Sequence, residues 1–274
     1  MTGAAVALGG GGGFIGRAVA DALGRARVVA FGREGIAEAT CPEVHVLIWA
    51  GGGRDGGEEA HVAAPLRALA VAAARGARRV VYVSSGEVYG LQPVPFTEDA
   101  QRLGDTAYAR AKIRGEDEVR AAAARLGIEA VIVRPGVVYG PGQGPGMLIP
   151  SLLAALRAGQ RFACTPGEQT RDFVHVADVA RMIARCAEDD APAGTYNAGT
   201  GVESSVAMVV RALAWRLGRS DLVELGALPY RAGEVMRYVL DPSRAKERLG
   251  FVAAVALARG LESVADCPQE QVDA

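Results

Sequence analysis

Short apolar runs alternate with longer helical patterns through the first half of the chain, and this alternation narrows the choice of fold. Each run is nearly continuous in Val, Ile, Leu or Ala, which is typical of strands buried on both faces of a parallel sheet. The runs are residues 4–8, 28–31, 44–50, 80–84 and 130–133, and the helical patterns between them are residues 14–23, 61–75 and 105–126. We therefore predict an α/β fold with a doubly wound parallel sheet.

Glycines are concentrated directly after the first apolar run, where the first helical pattern begins. Gly10, Gly13 and Gly16 are spaced as G-x-x-G-x-x-G. A dinucleotide pyrophosphate needs a close approach of the backbone and unpaired N–H groups at such a position. The segment therefore predicts a cofactor loop, although its spacing differs from the G-x-G-x-x-G of the standard dinucleotide fold.

A tyrosine and a lysine stand four residues apart in the third helical pattern, so their side chains share one face of a helix. A phenol titrates at about pH 10, and Tyr108 needs a nearby positive charge such as Lys112 to exchange protons at neutral pH. Ser84 ends the fourth apolar run and Ser85 follows it, at the edge where ligands bind in open α/β sheets. We predict that Ser85, Tyr108 and Lys112 form a catalytic site, while a capping role at the strand end stays open for Ser84.

The composition disfavours several classes of protein. Thirty basic and 31 acidic side chains are evenly spread, which argues against nucleic acid or a membrane surface as partner. The four cysteines form no CxxC pair and are expected to be buried and reduced, and three scattered histidines predict no metal site. The chain shows no secretory signal and no apolar stretch of about 18 residues, so we expect a cytoplasmic protein.

The glycine spacing and the run Gly13-Phe14-Ile15-Gly16 resemble the extended branch of the short-chain dehydrogenase/reductase superfamily, the NAD(P)-dependent nucleotide-sugar epimerases and dehydratases. Motifs similar to those of that family follow in the same order at residues 83–90, 134–141, 170–180 and 196–199. The resemblance runs from Val6 to Phe251 and implies a Rossmann-like fold, a hydride-transferring enzyme and a homodimer.

The pattern changes after Arg134, where a loop rich in Gly and Pro begins. We expect a dinucleotide-binding domain over residues 1–141, joined again by about residues 172–198. A smaller C-terminal substrate lobe is expected over residues 142–171 and 199–274.

The resemblance also implies a role for individual residues. Ser85 would hydrogen-bond the reacting oxygen, Tyr108 would move its proton, and Lys112 would also hold the nicotinamide ribose. The implied cofactor-binding residues are Gly10, Gly13, Phe14, Ile15, Gly16, Gly32, Arg33, Ala50, Gly51, Tyr108, Lys112 and Pro135. The implied substrate-binding residues are Glu87, Val137, Arg171 and Arg231, of which the two arginines would bind a diphosphate.

Two departures from the family concern the cofactor. Gly32 and Arg33 stand where the family has an acid that binds the NAD ribose, and a guanidinium there favours the 2′-phosphate of NADP. Arg33 as a solvated surface residue is the alternative. The glycine-rich segment 51–57 is interpreted either as a mobile lid over the cofactor or as a disordered turn.

Other departures concern the substrate. Val137 stands where the family has an asparagine that contacts the phosphates, and His61 stands where an asparagine opens the next helix. The family's dehydratases carry an acidic pair where this chain has Gly86 before Glu87, so a 4,6-dehydratase is not expected.

The sequence leaves three functions to compare. The first is an NAD(P)-dependent epimerase or keto-sugar reductase acting on a nucleotide-activated sugar. The second is an NADPH-dependent ketone reductase or hydroxyl dehydrogenase acting on a non-nucleotide substrate, which Val137 favours. The third is a non-catalytic NAD(P)-binding regulator, and the presence of both Tyr108 and Lys112 argues against it.

Overall fold

Residues 5–32, 35–37 and 41–267 are described by the structure, a computed structural model. The strands are β1 Val6–Gly9, β2 Val28–Phe31, β3 Val46–Trp49, β4 Arg79–Val83, β5 Glu129–Pro135, β6 Val137–Tyr139, β7 Phe162–Cys164, β8 Thr170–His175, β9 Gly194–Ala198, β10 Glu203–Ser205, β11 Val223–Leu225 and β12 Arg237–Tyr238. The α-helices are α1 Phe14–Leu23, α2 Ala64–Ala74, α3 Ala107–Leu126, α4 Leu148–Arg157, α5 Val176–Cys186, α6 Val206–Arg216, α7 Ser243–Leu249 and α8 Leu257–Ala265.

A six-stranded sheet in the order β2-β1-β3-β4-β5-β9 lies at the centre, and every pair in it is parallel. The order reverses beside β1, so the predicted doubly wound sheet is confirmed. Strands β1, β3 and β4 are buried along their whole length because apolar layers cover both faces. Helices α1 and α5 pack together on one face, and α2 and α3 pack together on the other.

A smaller layer of structure is built from the chain after β5. Strand β8 lies between β10 and β12 and also pairs with β6, while β7 and β11 form a separate two-stranded sheet. Helices α4, α6 and α8 supply an apolar core around Leu152, Leu156 and Leu213. Strand β9 returns to the central sheet beside β5, so the chain leaves this sheet and rejoins it.

The predicted helix over residues 61–75 is wrong at its start. A π-helical segment, Glu59–Ala63, precedes α2. The reason is Pro65, which has no N–H to donate to the carbonyl of His61. The hydroxyl of Tyr82 donates to that carbonyl instead at 2.8 Å, and the indole N–H of Trp49 donates to the carbonyl of Ala60 at 3.2 Å.

The third helix begins at Ala107 rather than at the predicted Asp105. The hydroxyl of Thr106 accepts a hydrogen bond from the backbone N–H of Ala109 at 3.0 Å and so caps the helix. The helix ends at Gly127, whose φ of 67° is the left-handed conformation that glycine adopts most easily.

The described residues also bear on the smaller expectations. Cys41, Cys164 and Cys186 are buried free thiols, whereas Cys267 is half-buried rather than buried. No group of three or more His, Cys, Asp or Glu side chains in this part of the chain is arranged to hold a metal ion. Within the same ranges, none of the helices combines the length and apolar character that crossing a membrane requires.

Candidate active site

The glycine loop after β1 is a cradle that side chains would fill. Gly10 has a φ of +77°, and a methyl group on it would lie 2.5 Å from the Cα of Gly51. A methyl group on Gly16 would lie 2.0 Å from the carbonyl oxygen of Gly10. Gly12, by contrast, has no described atom within 4 Å of such a position, and α1 starts two residues later. This close packing beside an open helix N-terminus fits the pyrophosphate of a dinucleotide.

The other predicted cofactor residues lie at the same edge of the sheet. Ala50 and Gly51 follow β3, and the N–H of Ala50 donates to the carbonyl of Gly9 at 2.9 Å. Phe14 and Ile15 open α1 and are half-buried, Gly32 follows β2, and Pro135 ends β5. Arg33, on which the expectation of NADP rests, lies outside the described residues.

The three predicted catalytic residues lie together where β4 ends. The Lys112 side chain is 2% exposed, and its Nζ donates to the carbonyl oxygen of Val83 at 2.8 Å. The same Nζ lies 5.9 Å from the centroid of the Tyr108 ring. Ser85 follows β4, and its Oγ accepts from the backbone N–H of Glu87 at 3.1 Å. The Ser85 hydroxyl also lies close enough to the Tyr108 phenol to lower its pKa. Strand β4 and helix α3 therefore bring the three side chains to one place.

Burial sets the proton affinities at this site. Burial lowers the pKa of Lys112 to about 7, although the charge of Glu116 opposes this shift. Burial and the charge of Glu87 together raise the pKa of Tyr108 to about 12, although the Ser85 hydroxyl and the Arg54 charge oppose this shift. The phenol is therefore protonated at neutral pH in the ligand-free protein.

His61, which the sequence marked only as a departure from the family, is packed against the phenol. Its ring meets the Tyr108 ring edge-on, with 5.3 Å between centroids, and it is fully buried. Its Nε2 lies 3.1 Å from the carbonyl oxygen of Gly53, so Nε2 carries the proton that bond requires. Burial and the charge of Lys112 lower the pKa of His61 to about 4, so the ring is neutral at pH 7.

The glycine-rich segment 51–57 contacts this histidine. Gly52 has a φ of +88°, and a methyl group on it would lie 2.4 Å from the Cε1 atom of His61. Only a glycine permits both the backbone conformation and this close approach. The segment therefore connects the glycine loop, through Gly51 and His61, to the Tyr108 phenol.

Arg54 is a site residue that sequence reasoning missed. Its guanidinium pairs with both carboxylate oxygens of Glu87, at 2.5 and 3.1 Å, and its Cζ atom lies 5.4 Å from the centroid of the Tyr108 ring. The only available signal was an arginine within a glycine-rich run after the third strand. That signal does not say where the side chain points.

A buried ionic network behind the site was also missed. Glu116 is fully buried, and it accepts hydrogen bonds from the Ser84 hydroxyl at 2.6 Å and from Arg134 at 2.9 and 2.6 Å. Burial alone would raise the pKa of Glu116, but the hydrogen bonds and charge of Arg134 hold it below its usual value. Glu116 stands four residues after Lys112, so helical spacing could have placed it on the catalytic face.

Three of the four predicted substrate residues lie in the second layer or at its border, whereas Glu87 lies in the 3₁₀ turn after β4. Arg171 donates to the carbonyl oxygen of Val235 at 2.7 Å and pairs with Glu234, so its charge is already compensated. Arg231 is exposed, and its backbone carbonyl accepts from the N–H of Glu234 at 3.1 Å, so its backbone lies close to that of the residue that pairs with Arg171. Val137 is half-buried against two apolar clusters.

Comparisons with known proteins match this geometry. The model of the NAD dependent epimerase/dehydratase family matches residues 54–199, more than half of the chain. The chain belongs to this family. It is 34% identical over 207 residues to UDP-glucose 4-epimerase of Mycolicibacterium smegmatis, covering 73% of this chain and 66% of that protein. The resemblance inferred from the motifs is therefore confirmed.

Other members of the family are similar over comparable lengths. A dTDP-4-dehydro-6-deoxy-D-allose reductase of a Streptomyces species is 33% identical over 204 residues, which cover 69% of this chain and 60% of that protein. The chain thus spans 60 to 66% of these two relatives. A solved structure of MoeE5 in complex with UDP-glucuronic acid and NAD is 28% identical, has a TM-score of 0.84, and is matched over 96% of this chain and 98% of that one.

Proposed function

We propose that this protein is an NAD(P)-dependent epimerase or reductase that acts on a nucleoside-diphosphate sugar. The observation that carries the proposal is the meeting of Ser85, Tyr108 and Lys112 at the carboxyl end of β4. The glycine cradle at the same edge of the sheet supports a dinucleotide as cofactor. Together they provide a proton-transferring group beside a place for a hydride carrier.

Residues of this chain would transfer the proton, while the nicotinamide, when bound, would accept or donate the hydride. The Tyr108 oxygen takes the proton of a substrate hydroxyl during oxidation and returns it during reduction. The Ser85 hydroxyl holds the same substrate oxygen. Lys112 stabilises the phenolate electrostatically, and this effect requires its ammonium to be charged.

Similarity supports a nucleotide sugar as the substrate. MoeE5 has been solved with UDP-glucuronic acid and with UDP-glucose, in each case together with NAD. In this chain Arg231 is exposed, and Arg171 pairs with Glu234, three residues after Arg231. Both arginines would bind a diphosphate if Arg171 exchanged Glu234 for phosphate oxygens. We further propose that the cofactor is NADP rather than NAD, because of Gly32 and Arg33. We also propose that the protein is a homodimer and that it is located in the cytoplasm.

One observation favours a second candidate, a ketone reductase for non-nucleotide substrates. Val137 offers no hydrogen bond to a phosphate, and Glu234 already occupies Arg171. A site that keeps these features would bind diphosphates weakly. The two candidates are distinguished by nucleotide binding.

The test begins with mass spectrometry of the small molecules released when the purified protein is denatured. Interconversion of UDP-glucose and UDP-galactose and reduction of a 4-keto nucleotide sugar are then assayed with NAD and NADP. Calorimetric titration with UDP, dTDP and GDP compares the wild type with Arg231→Ala and with Arg211→Ala, an exposed arginine on α6, as control. We expect the wild type and Arg211→Ala to bind at least one of these nucleotides with equal affinity, and Arg231→Ala to bind it more weakly. Absence of binding for all three nucleotides at millimolar concentration would favour the ketone reductase.

A further inference from the structure

An ion pair lies over the catalytic tyrosine and joins two segments that are distant in sequence. Arg54 belongs to the glycine-rich segment after β3, and Glu87 belongs to the 3₁₀ turn Gly86–Tyr89 after β4. Both oxygens of Glu87 accept from the Arg54 guanidinium, at 2.5 and 3.1 Å. The pair therefore spans the mouth of the site at the carboxyl edge of the sheet.

The pair is accessible to water, unlike the rest of the ionic groups at the site. The Arg54 side chain is 55% exposed and that of Glu87 is 29% exposed. Pairs with this exposure contribute only about 0.2–1 kcal/mol to stability, because solvent screens them and ordering the side chains costs entropy. Stability alone therefore does not account for a bidentate pair placed on a catalytic ring.

The guanidinium also contacts the phenol directly. Its Cζ atom lies 5.4 Å from the centroid of the Tyr108 ring, within the range of a cation–π contact. The Lys112 ammonium lies at 5.9 Å from the same centroid. Two cations thus flank one ring, and the arginine is the nearer.

The two cations differ in how they respond to pH. A guanidinium stays charged wherever the protein is folded. Burial brings the pKa of Lys112 to about 7, so a large part of the lysine population is neutral in weakly alkaline solution. The positive charge that Lys112 supplies beside the phenol therefore decreases above about pH 7, and that of Arg54 does not.

We propose that Arg54 is a positioning residue for the reaction, held by Glu87 over the Tyr108 ring so that a permanent positive charge lies beside the phenol. This inference rests on the proposed function, in which Tyr108 moves the proton. Glu87 has two opposed effects in this arrangement. It places the guanidinium, and its own negative charge disfavours the phenolate.

Other polar groups face Tyr108 from each packed element, and their charges do not replace that of Arg54. His61 is neutral at pH 7, and Tyr82 and Tyr238 are phenols whose pKa values are raised by burial. Ser85 contributes a hydrogen bond without a charge. The groups that face Tyr108 are Arg54, His61, Tyr82, Ser85, Glu87, Lys112 and Tyr238.

The sign of each substitution follows from these charges. Arg54→Met removes the cation and leaves Glu87 uncompensated, so the pKa of Tyr108 rises. Glu87→Gln removes the anion, so the pKa of Tyr108 falls. Both variants break the same tether between the two segments, so a purely mechanical role would change both in the same direction.

The experiment measures the pH dependence of single-turnover sugar oxidation in the wild type, the two single variants and the double variant. We expect Arg54→Met to move the profile to higher pH by about one unit, which is about a tenfold loss at pH 7, and Glu87→Gln to move it to lower pH. The double variant should return towards the wild type. Arg216→Met, which breaks an exposed bidentate pair with Asp266 in the second layer, is the control and should leave the profile unchanged.

A second readout does not depend on turnover. Protein labelled with ¹³C at tyrosine Cζ is titrated by NMR, and Tyr108→Phe assigns the resonance. Glu87→Gln should bring the titration of Tyr108 to lower pH than in the wild type, whereas Arg54→Met should delay it. Coinciding profiles, or shifts of both single variants in the same direction, would overturn the proposal. Inactivity of every variant and the wild type on all nucleotide sugars would instead contradict the proposed function, while the NMR titration still decides the role of Arg54.

Discussion

Two arginine–carboxylate pairs flank helix α3, and they differ in how far water reaches them. Behind Lys112, the side chains of Arg134 and Glu116 are 3% and 0% exposed and are joined by two short hydrogen bonds. In front of Tyr108, the side chains of Arg54 and Glu87 are 55% and 29% exposed. Removing one partner should therefore cost more stability in the buried pair than in the accessible pair, because only a buried charge is left without solvation when its partner is lost. The buried pair holds the fold of the site, and the accessible pair is free to affect its chemistry.

The largest effect is expected when the buried pair is broken. Glu116→Gln leaves the buried Arg134 guanidinium without its negative partner and replaces one acceptor oxygen by an NH2 group, which should lower the free energy of unfolding by about 3–5 kcal/mol. Urea denaturation at pH 7 measures this. Glu129→Gln is the matched control, because Glu129 pairs with the buried Arg79 but is itself 57% exposed. Arg79 also donates hydrogen bonds to backbone carbonyls, so it keeps partners in this variant. If Glu116→Gln lowered the free energy of unfolding by less than about 1 kcal/mol, the buried pair would contribute no more to stability than an exposed pair does.

An intermediate, pH-dependent effect is expected at Lys112, between the two pairs. The folded protein lowers the pKa of Lys112 from 10.5 to about 7, so between these values the unfolded chain binds more protons than the folded protein. The free energy of unfolding therefore rises with pH over this window, by up to about 1.4 kcal/mol per unit. Relative to Lys112→Met, the wild type should gain stability from pH 7 to pH 10. A constant difference between the wild type and Lys112→Met over this range would contradict the lowered pKa of the buried lysine.

The smallest stability effect is expected when the accessible pair is broken. Arg54→Met should change the free energy of unfolding by less than about 1 kcal/mol, since water solvates the carboxylate that remains. Thermal and urea denaturation at low and high salt measure this, and added salt should reduce the difference further. A loss as large as that of Glu116→Gln would mean that Arg54 supports the fold rather than the chemistry.

The sequence was informative where a local pattern decides the structure. Helix α1 and strand β2 have the bounds predicted from their apolar residues, and the Tyr108 and Lys112 side chains lie near each other, as their spacing predicted. Lys112 is one of two lysines in a chain whose other basic residues are arginines, which makes its position in that pattern more specific. These features depend on neighbours within a few residues along the chain.

The sequence was less informative where distant residues decide the structure. The start of the second helix depends on Pro65 and on a hydroxyl from Tyr82 in another strand. Arg54 reaches Tyr108 only because β3, β4 and α3 converge at one edge of the sheet, and no spacing records that contact. Glu116 is the exception, because its distance of four residues from Lys112 was visible. Its partner Arg134 was not, since the pair links a helix to a strand.

The most direct test of the account is the rate of hydride transfer measured by stopped-flow absorbance of the reduced nicotinamide. Tyr108→Phe should lower this rate by at least about 100-fold while the dissociation constant of the cofactor stays nearly unchanged, because the hydroxyl acts in proton transfer. Tyr196→Phe, which removes a buried hydroxyl that donates to the carbonyl of Pro192 at 2.7 Å, is the control and should transfer hydride at the wild-type rate. If Tyr108→Phe keeps more than about a tenth of the wild-type rate, the meeting of Ser85, Tyr108 and Lys112 is not the catalytic site.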